Sequence, residues 1–278
     1  MLYQSMNYVA LYTVVIVVLL IWITTRRSPI LALVELVREL LRSYKFLLLF
    51  AAMFGVLALN KYELQIETKM QLSSDFTAFM FGLEGHFVQS FQQLFYSPWL
   101  TPIIVFFYIF MLQSVLAASI GLYLLENNRL MLYATCYAII LNYTIAIPFY
   151  LYFPVNEVWS YPPAGVRFVM LDVFPRFEQE YRALSGLNNC FPSLHTSISV
   201  TMALLAFRSG NRRWMIITGI SAIMIVFGIF YLGIHWLTDM LGGTLLAILA
   251  SSLGVQLSRL TLRSGENAIA VRSRASNG

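Results

Sequence analysis

The chain contains three histidines, His86, His195 and His235. Two of them open expected helices. His195 lies in Asn188-Asn189-Cys190-Phe191-Pro192-Ser193-Leu194-His195-Thr196. Pro-Ser ahead of an apolar run marks a helix start, with Ser193 a candidate N-cap. His235 lies in Tyr231-Leu232-Gly233-Ile234-His235-Trp236-Leu237-Thr238-Asp239, where Gly233 can end one helix and let the next begin. Asp239 follows His235 by four residues, so the two side chains share a helical face. A carboxylate just inside a membrane helix is costly, which makes Asp239 a functional candidate with His235 as its partner. One imidazole with a carboxylate to fix its tautomer, and a second without, suit a nucleophile and a general acid. The two helix starts would add an anion site built from free N–H groups and helix dipoles. Arg167, Arg176 and Arg182 in the adjoining connection offer fixed charge for a phosphoryl group.

The elements that must bring these residues together are membrane helices. Of the 278 residues, 59% are hydrophobic and 11% charged, and the mean hydropathy is +0.73. A soluble domain carries about 25% charge, so disorder, collagen and nucleic-acid-binding domains are excluded. Two cysteines, Cys136 and Cys190, make neither a disulfide framework nor a zinc ribbon and are expected as free thiols. Seven apolar runs are expected to span: 7–25, a short one at 46–59, 98–125, 130–153, a run from Ser193 to Phe207, 214–232 and 236–257. Residues 30–42 carry Glu35, Arg38, Glu39 and Arg42 on one stripe and read as a cytoplasmic helix in the interface plane. Residues 61–97 read as one or two outer-face interfacial helices, with Asp75 as an N-cap. The catalytic core is expected at 98–257 with its outer loop at 154–192, after N-terminal helices within 1–60. Residues 258–278 read as a disordered cytoplasmic tail.

Charge gives the orientation. Thirteen of the 18 Lys and Arg fall in the 26–45, 126–129 and 208–213 turns and the tail. The positive-inside rule sends that side to the cytoplasm. The reading is an all-α, polytopic membrane bundle of about seven helices in the cell membrane. Its N-terminus is out, its C-terminus in, and both His195 and His235 sit at the extracytoplasmic face beside the 154–192 loop.

At these residues the chain resembles the type-2 phosphatidic acid phosphatase superfamily. Pro192-Ser193-Leu194-His195 matches that family's Pro-Ser-Gly-His signature with Leu for Gly. His235-Trp236-Leu237-Thr238-Asp239 matches the end of Ser-Arg-x5-His-x3-Asp, with Gly228-Ile229 where Ser-Arg is expected. The Lys-x6-Arg-Pro signature is reduced to Arg167, six residues and Phe174-Pro175, with Arg176 two positions on from Phe174. The Phe-Pro-Ser-Leu-His form and the lost arginine look like the inositol phosphorylceramide synthase branch. The resemblance covers about residues 130–257. It implies that His235 attacks phosphorus to give a phosphohistidine, that Asp239 orients it and that His195 protonates the leaving oxygen. It further implies that Ser193 and the arginines Arg167 and Arg176 hold the phosphate.

The substrate implied is a lipid phosphate or diphosphate in the bilayer. Water as acceptor makes the chain a lipid phosphatase, and a lipid or polyol hydroxyl makes it a phosphotransferase. No cofactor and no nucleic-acid partner are expected. A metal face of His195, His235 and Asp239 and a lipid transporter with broken, paired spans are the weaker alternatives. His86 with Glu84 reads as an interfacial surface pair.

Overall fold

The computed structural model describes residues 6–70, 75–181 and 186–275, with the backbone alone at 64, 67–70 and 265–275. Among the described residues the fold is all-helical, with one isolated bridge, Val155 to Asn189, in place of any sheet. The helices are α1 (Met6–Thr25), α2 (Pro29–Arg42), α3 (Tyr44–Met70), α4 (Thr77–Glu84), α5 (Phe87–Phe95) and α6 (Thr101–Phe106). A π-helical turn, Phe107–Met111, joins α6 to α7 (Leu112–Leu125). Then come α8 (Arg129–Tyr152), a short α9 (Phe177–Glu180), α10 (Leu194–Ser209), α11 (Arg212–Tyr231) and α12 (Leu237–Ala275).

Six stretches are long and apolar enough to cross a bilayer: α1, the first 20 residues of α3, α6 through α7, α8, α11 and α12 as far as Ser264. This is a multi-pass membrane architecture. Large apolar side chains such as Leu11, Leu48, Ile223 and Leu245 point outward, as lipid contact requires. The seventh expected span, α10, has 16 residues, or about 24 Å of helix against a hydrocarbon core of about 30 Å. It nevertheless joins the same two ends of the bundle as α11, because it starts beside the end of α11 and returns through the Gly210 turn. It packs between α11 and α12.

Contacts between distant turns sort the bundle into two ends. At one end Arg27 donates to the Leu125 carbonyl at 2.6 Å, Arg129 pairs with Glu39 at 2.9 Å, and Asn211 donates to Glu126. These are the turns in which the basic residues concentrate. At the other end Phe76 N–H donates to the Pro154 carbonyl, Asn156 to Asp75, and Asn189 to Glu63. The 61–97 region and the 154–192 connection therefore meet at the end opposite the basic turns.

Three expectations change. The second helix is not short, since α3 runs unbroken from Tyr44 to Met70 and carries Lys61 and Glu63 as helical residues. Asp75 lies one residue before the N-cap position, held by Phe76, yet its Oδ1 still accepts the Thr77 N–H at 2.8 Å. The polar tail expected to be disordered continues α12 as helix to Ala275.

Candidate active site

The path from sequence to site begins at the two helix starts. Ser193 caps α10, its Oγ accepting the Thr196 N–H at 3.3 Å. It is fully buried. Its own N–H donates to the Asp239 carbonyl at 3.1 Å, which ties the start of α10 to the first turn of α12. Gly243 makes that approach possible, because a Cβ there would stand 2.5 Å from the Ser193 carbonyl oxygen.

The turn before α12 is held just as closely. Gly233 has φ +79°, and a Cβ on it would meet Val166 and the Arg167 carbonyl at 2.6 and 2.8 Å. The 154–192 connection grips this turn through Trp159 N–H to the Gly233 carbonyl at 3.0 Å, Val158 N–H to the Ile234 carbonyl at 3.2 Å, and Trp236 Nε1 to the Asn156 carbonyl at 2.9 Å. Gln92 of α5 bridges the Arg167 and Tyr231 carbonyls at 2.8 and 3.0 Å. His235 thus sits on a rigid turn roofed by the 154–192 connection.

His235 and Asp239 are both buried, with Nδ1 of His235 3.3 Å from Asp239 Oδ2. The same carboxylate oxygen accepts the Trp236 N–H at 2.8 Å. The second imidazole, His195, faces the first with ring centroids 5.9 Å apart. Tyr108 stacks on His195, with centroids 4.1 Å apart and planes 13° from parallel. A cavity of about 170 Å³ opens between them. His195, His235, Tyr108, Tyr150, Asn60 and Asn189 are among its walls. Asn60 Oδ1 and Asn189 Oδ1 are buried there without a hydrogen-bond partner. No described lysine or arginine lines the cavity.

The arginines go elsewhere. Arg167 is 56% exposed, donates to Asp172 at 2.8 Å and lies over the Tyr96 ring at 4.7 Å. Its backbone touches the Gly233 turn, but its guanidinium points to the outer surface. Arg176 is exposed at the start of α9, and Arg182 lies outside the described residues. Neither Arg167 nor Arg176 lines the cavity, and the Tyr96 face and the Asp172 carboxylate engage the nearer guanidinium. Ile229, where the resemblance would place an arginine, is fully buried among apolar neighbours. His86 meets Phe81 edge-on and stays outside the cavity.

Two residues at the site were not singled out for it. Tyr108 falls in the π-helical turn, and such turns recur at functional sites. Nothing in the apolar pattern of residues 98–125 distinguishes it from a packing residue. Glu84 was read as half of a surface pair with His86. It instead reaches the first turn of α12, where Leu237 N–H donates to its Oε2 and Thr238 N–H to its Oε1, both at 2.6 Å. The N–H groups expected to hold an anion at this helix start are thus occupied by the chain's own carboxylate. Burial raises the Glu84 carboxyl above its ordinary pKa, against the hydrogen bonds that favour the charged form.

Cys190, His235 and Asp239 have ligand atoms within 4.8 Å of one another. That set differs from the expected metal face, with the Cys190 thiol in place of His195. The Cys190 thiol stands 3.6 Å from the Ile234 carbonyl, and Asp239 Oδ2 already serves His235 and Trp236.

Residues 137–261 match the family model of the PAP2 superfamily. The matched stretch holds His195, His235 and Asp239 and takes in most of α8, all of α9 to α11 and most of the membrane part of α12. No curated protein and no solved structure matches the chain. The PAP2 match thus covers the two helix starts and the 154–192 connection, while Tyr108 and Glu84 are supplied by the part of the chain before it.

Proposed function

We propose that this chain is an integral-membrane phosphoryl-transfer enzyme that hydrolyses a lipid phosphate or diphosphate through a phosphohistidine. The observation that carries the reading is the pairing of two imidazoles across one cavity, of which, among the described residues, only His235 has a carboxylate on Nδ1. With Nδ1–H donating to Asp239, Nε2 of His235 presents its lone pair. It forms a P–N bond as the lipid oxygen leaves, and His195 gives that oxygen a proton. Water then attacks the phosphohistidine, His195 takes a proton from it, and phosphate is released with His235 restored. The PAP2 match supports this chemistry, since that superfamily generally comprises phosphoesterases and phosphotransferases.

A second reading keeps the phosphohistidine and replaces water with a hydroxyl-bearing lipid or polyol. Asn60 Oδ1 and Asn189 Oδ1 favour it, because unpartnered amide oxygens in a cavity wall accept hydrogen bonds from hydroxyl groups. One experiment covers both readings: purified protein in detergent is offered a panel of lipid phosphates with and without polyols. Release of inorganic phosphate supports the phosphatase, a new phosphodiester lipid supports the transferase, and neither product from any substrate rejects both.

In this reading the cytoplasmic side is the end that gathers the basic turns, and the cavity opens at the extracytoplasmic end. The N-terminus lies outside and the C-terminus inside. The substrate enters from the outer leaflet.

A further inference from the structure

The first turn of α12 is built as half of a capping box. In the complete motif the residue at N3 reaches back to the N-cap N–H, and the N-cap side chain receives an N–H of the first turn. Here Asp239 at N3 reaches back to Trp236 N–H. Trp236, at the N-cap, has no side-chain oxygen to return. The missing acceptor comes from 153 residues away in sequence, as the Glu84 carboxylate takes the N–H groups of Leu237 and Thr238, one on each oxygen. Those two residues lie between His235 and Asp239.

We propose that Glu84 is a positioning residue for the histidine nucleophile: its carboxylate completes the cap of α12, fixes the turn that carries Asp239, and so holds Asp239 against His235. Glu84 does not line the cavity and touches no reacting atom in this scheme. It acts through the helix start. Capping both N–H groups opposes fraying of this end, and fraying would carry Asp239 Oδ2 away from Nδ1. The segment that holds Glu84 also lies outside the stretch that matches the PAP2 superfamily, so the support for the core comes from the chain's own earlier part. The proposal rests on His235 being the nucleophile.

The test compares Glu84→Ala, Glu84→Gln, Asp239→Asn and the double variant Glu84→Ala/Asp239→Asn, using turnover of a lipid phosphate. In parallel, ¹⁵N-histidine spectra of the detergent-solubilised protein are recorded, with His235 assigned by His235→Gln. Outer-shell groups that orient a functional histidine contribute about 10- to 100-fold. Glu84→Ala should therefore lower kcat by that range and leave KM within about twofold. The double variant should be no slower than Asp239→Asn alone, because the two residues act in one chain of contacts. Glu84→Gln keeps one oxygen acceptor and should fall between wild type and Glu84→Ala. The ring-nitrogen resonances of His235 should move in Glu84→Ala. Losses that multiply in the double variant would overturn the proposal, as would His235 resonances that stay in place. If Glu84→Ala does not fold, the isosteric Glu84→Gln carries the same comparisons. A wild-type chain that transfers no phosphoryl group would defeat the proposed function, while the resonances would still decide the role of Glu84.

Discussion

Tyr108 lies nearly flat on His195, and its phenol oxygen stands 3.4 Å from His195 Nδ1. The π-helical turn Phe107–Met111 sets this contact by adding a residue to the turn that carries Tyr108. The stack fixes one face of the imidazole expected to protonate the leaving oxygen. Tyr108→Ala should slow hydrolysis of a lipid phosphate about tenfold or more, as a displaced general acid would. Tyr108→Phe keeps the ring and should cost less. With an activated aryl phosphate, whose leaving group needs no proton, both losses should disappear. Equal losses on the two substrates would remove the tie between Tyr108 and proton transfer.

Arg167 tests the opposite case. Its guanidinium is engaged by Asp172 and the Tyr96 face at the outer surface. An exposed pair of this kind contributes about 0.2–1 kcal/mol to stability. Arg167→Gln should leave turnover within about threefold of wild type. A charge-assisted contact to the phosphoryl group would instead contribute about 1.5–3 kcal/mol, which is one to two decades of rate. A loss of that size would return Arg167 to the phosphate.

The contrast between these residues shows how far the sequence could be read. The helix starts at Ser193 and Trp236 are legible because Pro-Ser and Gly233 interrupt apolar runs, and the four-residue spacing marks Asp239 as the partner of His235. Asp239 does reach His235, but His235 lies before the Trp236 N-cap and outside α12, so the contact is made from the turn onto the first helical turn and not along a shared helical face. The direction of Arg167 was not legible, because its partner Tyr96 comes from a segment whose aromatics carry no directional signal. Glu84 failed for the same reason: the N–H groups that it caps are distant in sequence. The length of α3 was hidden because Lys61 and Glu63 look like the end of a span, although a helix leaving the membrane can continue through them.

Metal chemistry has its own test. Cys190, His235 and Asp239 are close enough to share an ion, but phosphohistidine formation needs the His235 lone pair free. Activity should survive prolonged dialysis against a strong chelator. Loss on chelation and recovery with one added divalent cation would replace the nucleophile assignment with a metal site.

Sidedness can be read by labelling. Pro163 in the 154–192 connection and Arg213 at the start of α11 are both exposed and lie at opposite ends of the bundle. In intact cells a membrane-impermeant thiol reagent should label Pro163→Cys and spare Arg213→Cys until the membrane is opened. The reverse pattern would invert the orientation read from the basic turns.

The central claim is that His235 receives the phosphoryl group. Its most direct measurement is a rapid quench with a ³²P-labelled lipid phosphate, followed by location of the acid-labile, alkali-stable label in the chain. The account predicts label on His235, none in His235→Ala, and a smaller loss in Asp239→Asn than in His235→Ala. It also predicts that His195→Ala still becomes labelled by an activated aryl phosphate, because only the leaving-group proton is missing. Label on His195, or label that persists in His235→Ala, would contradict it.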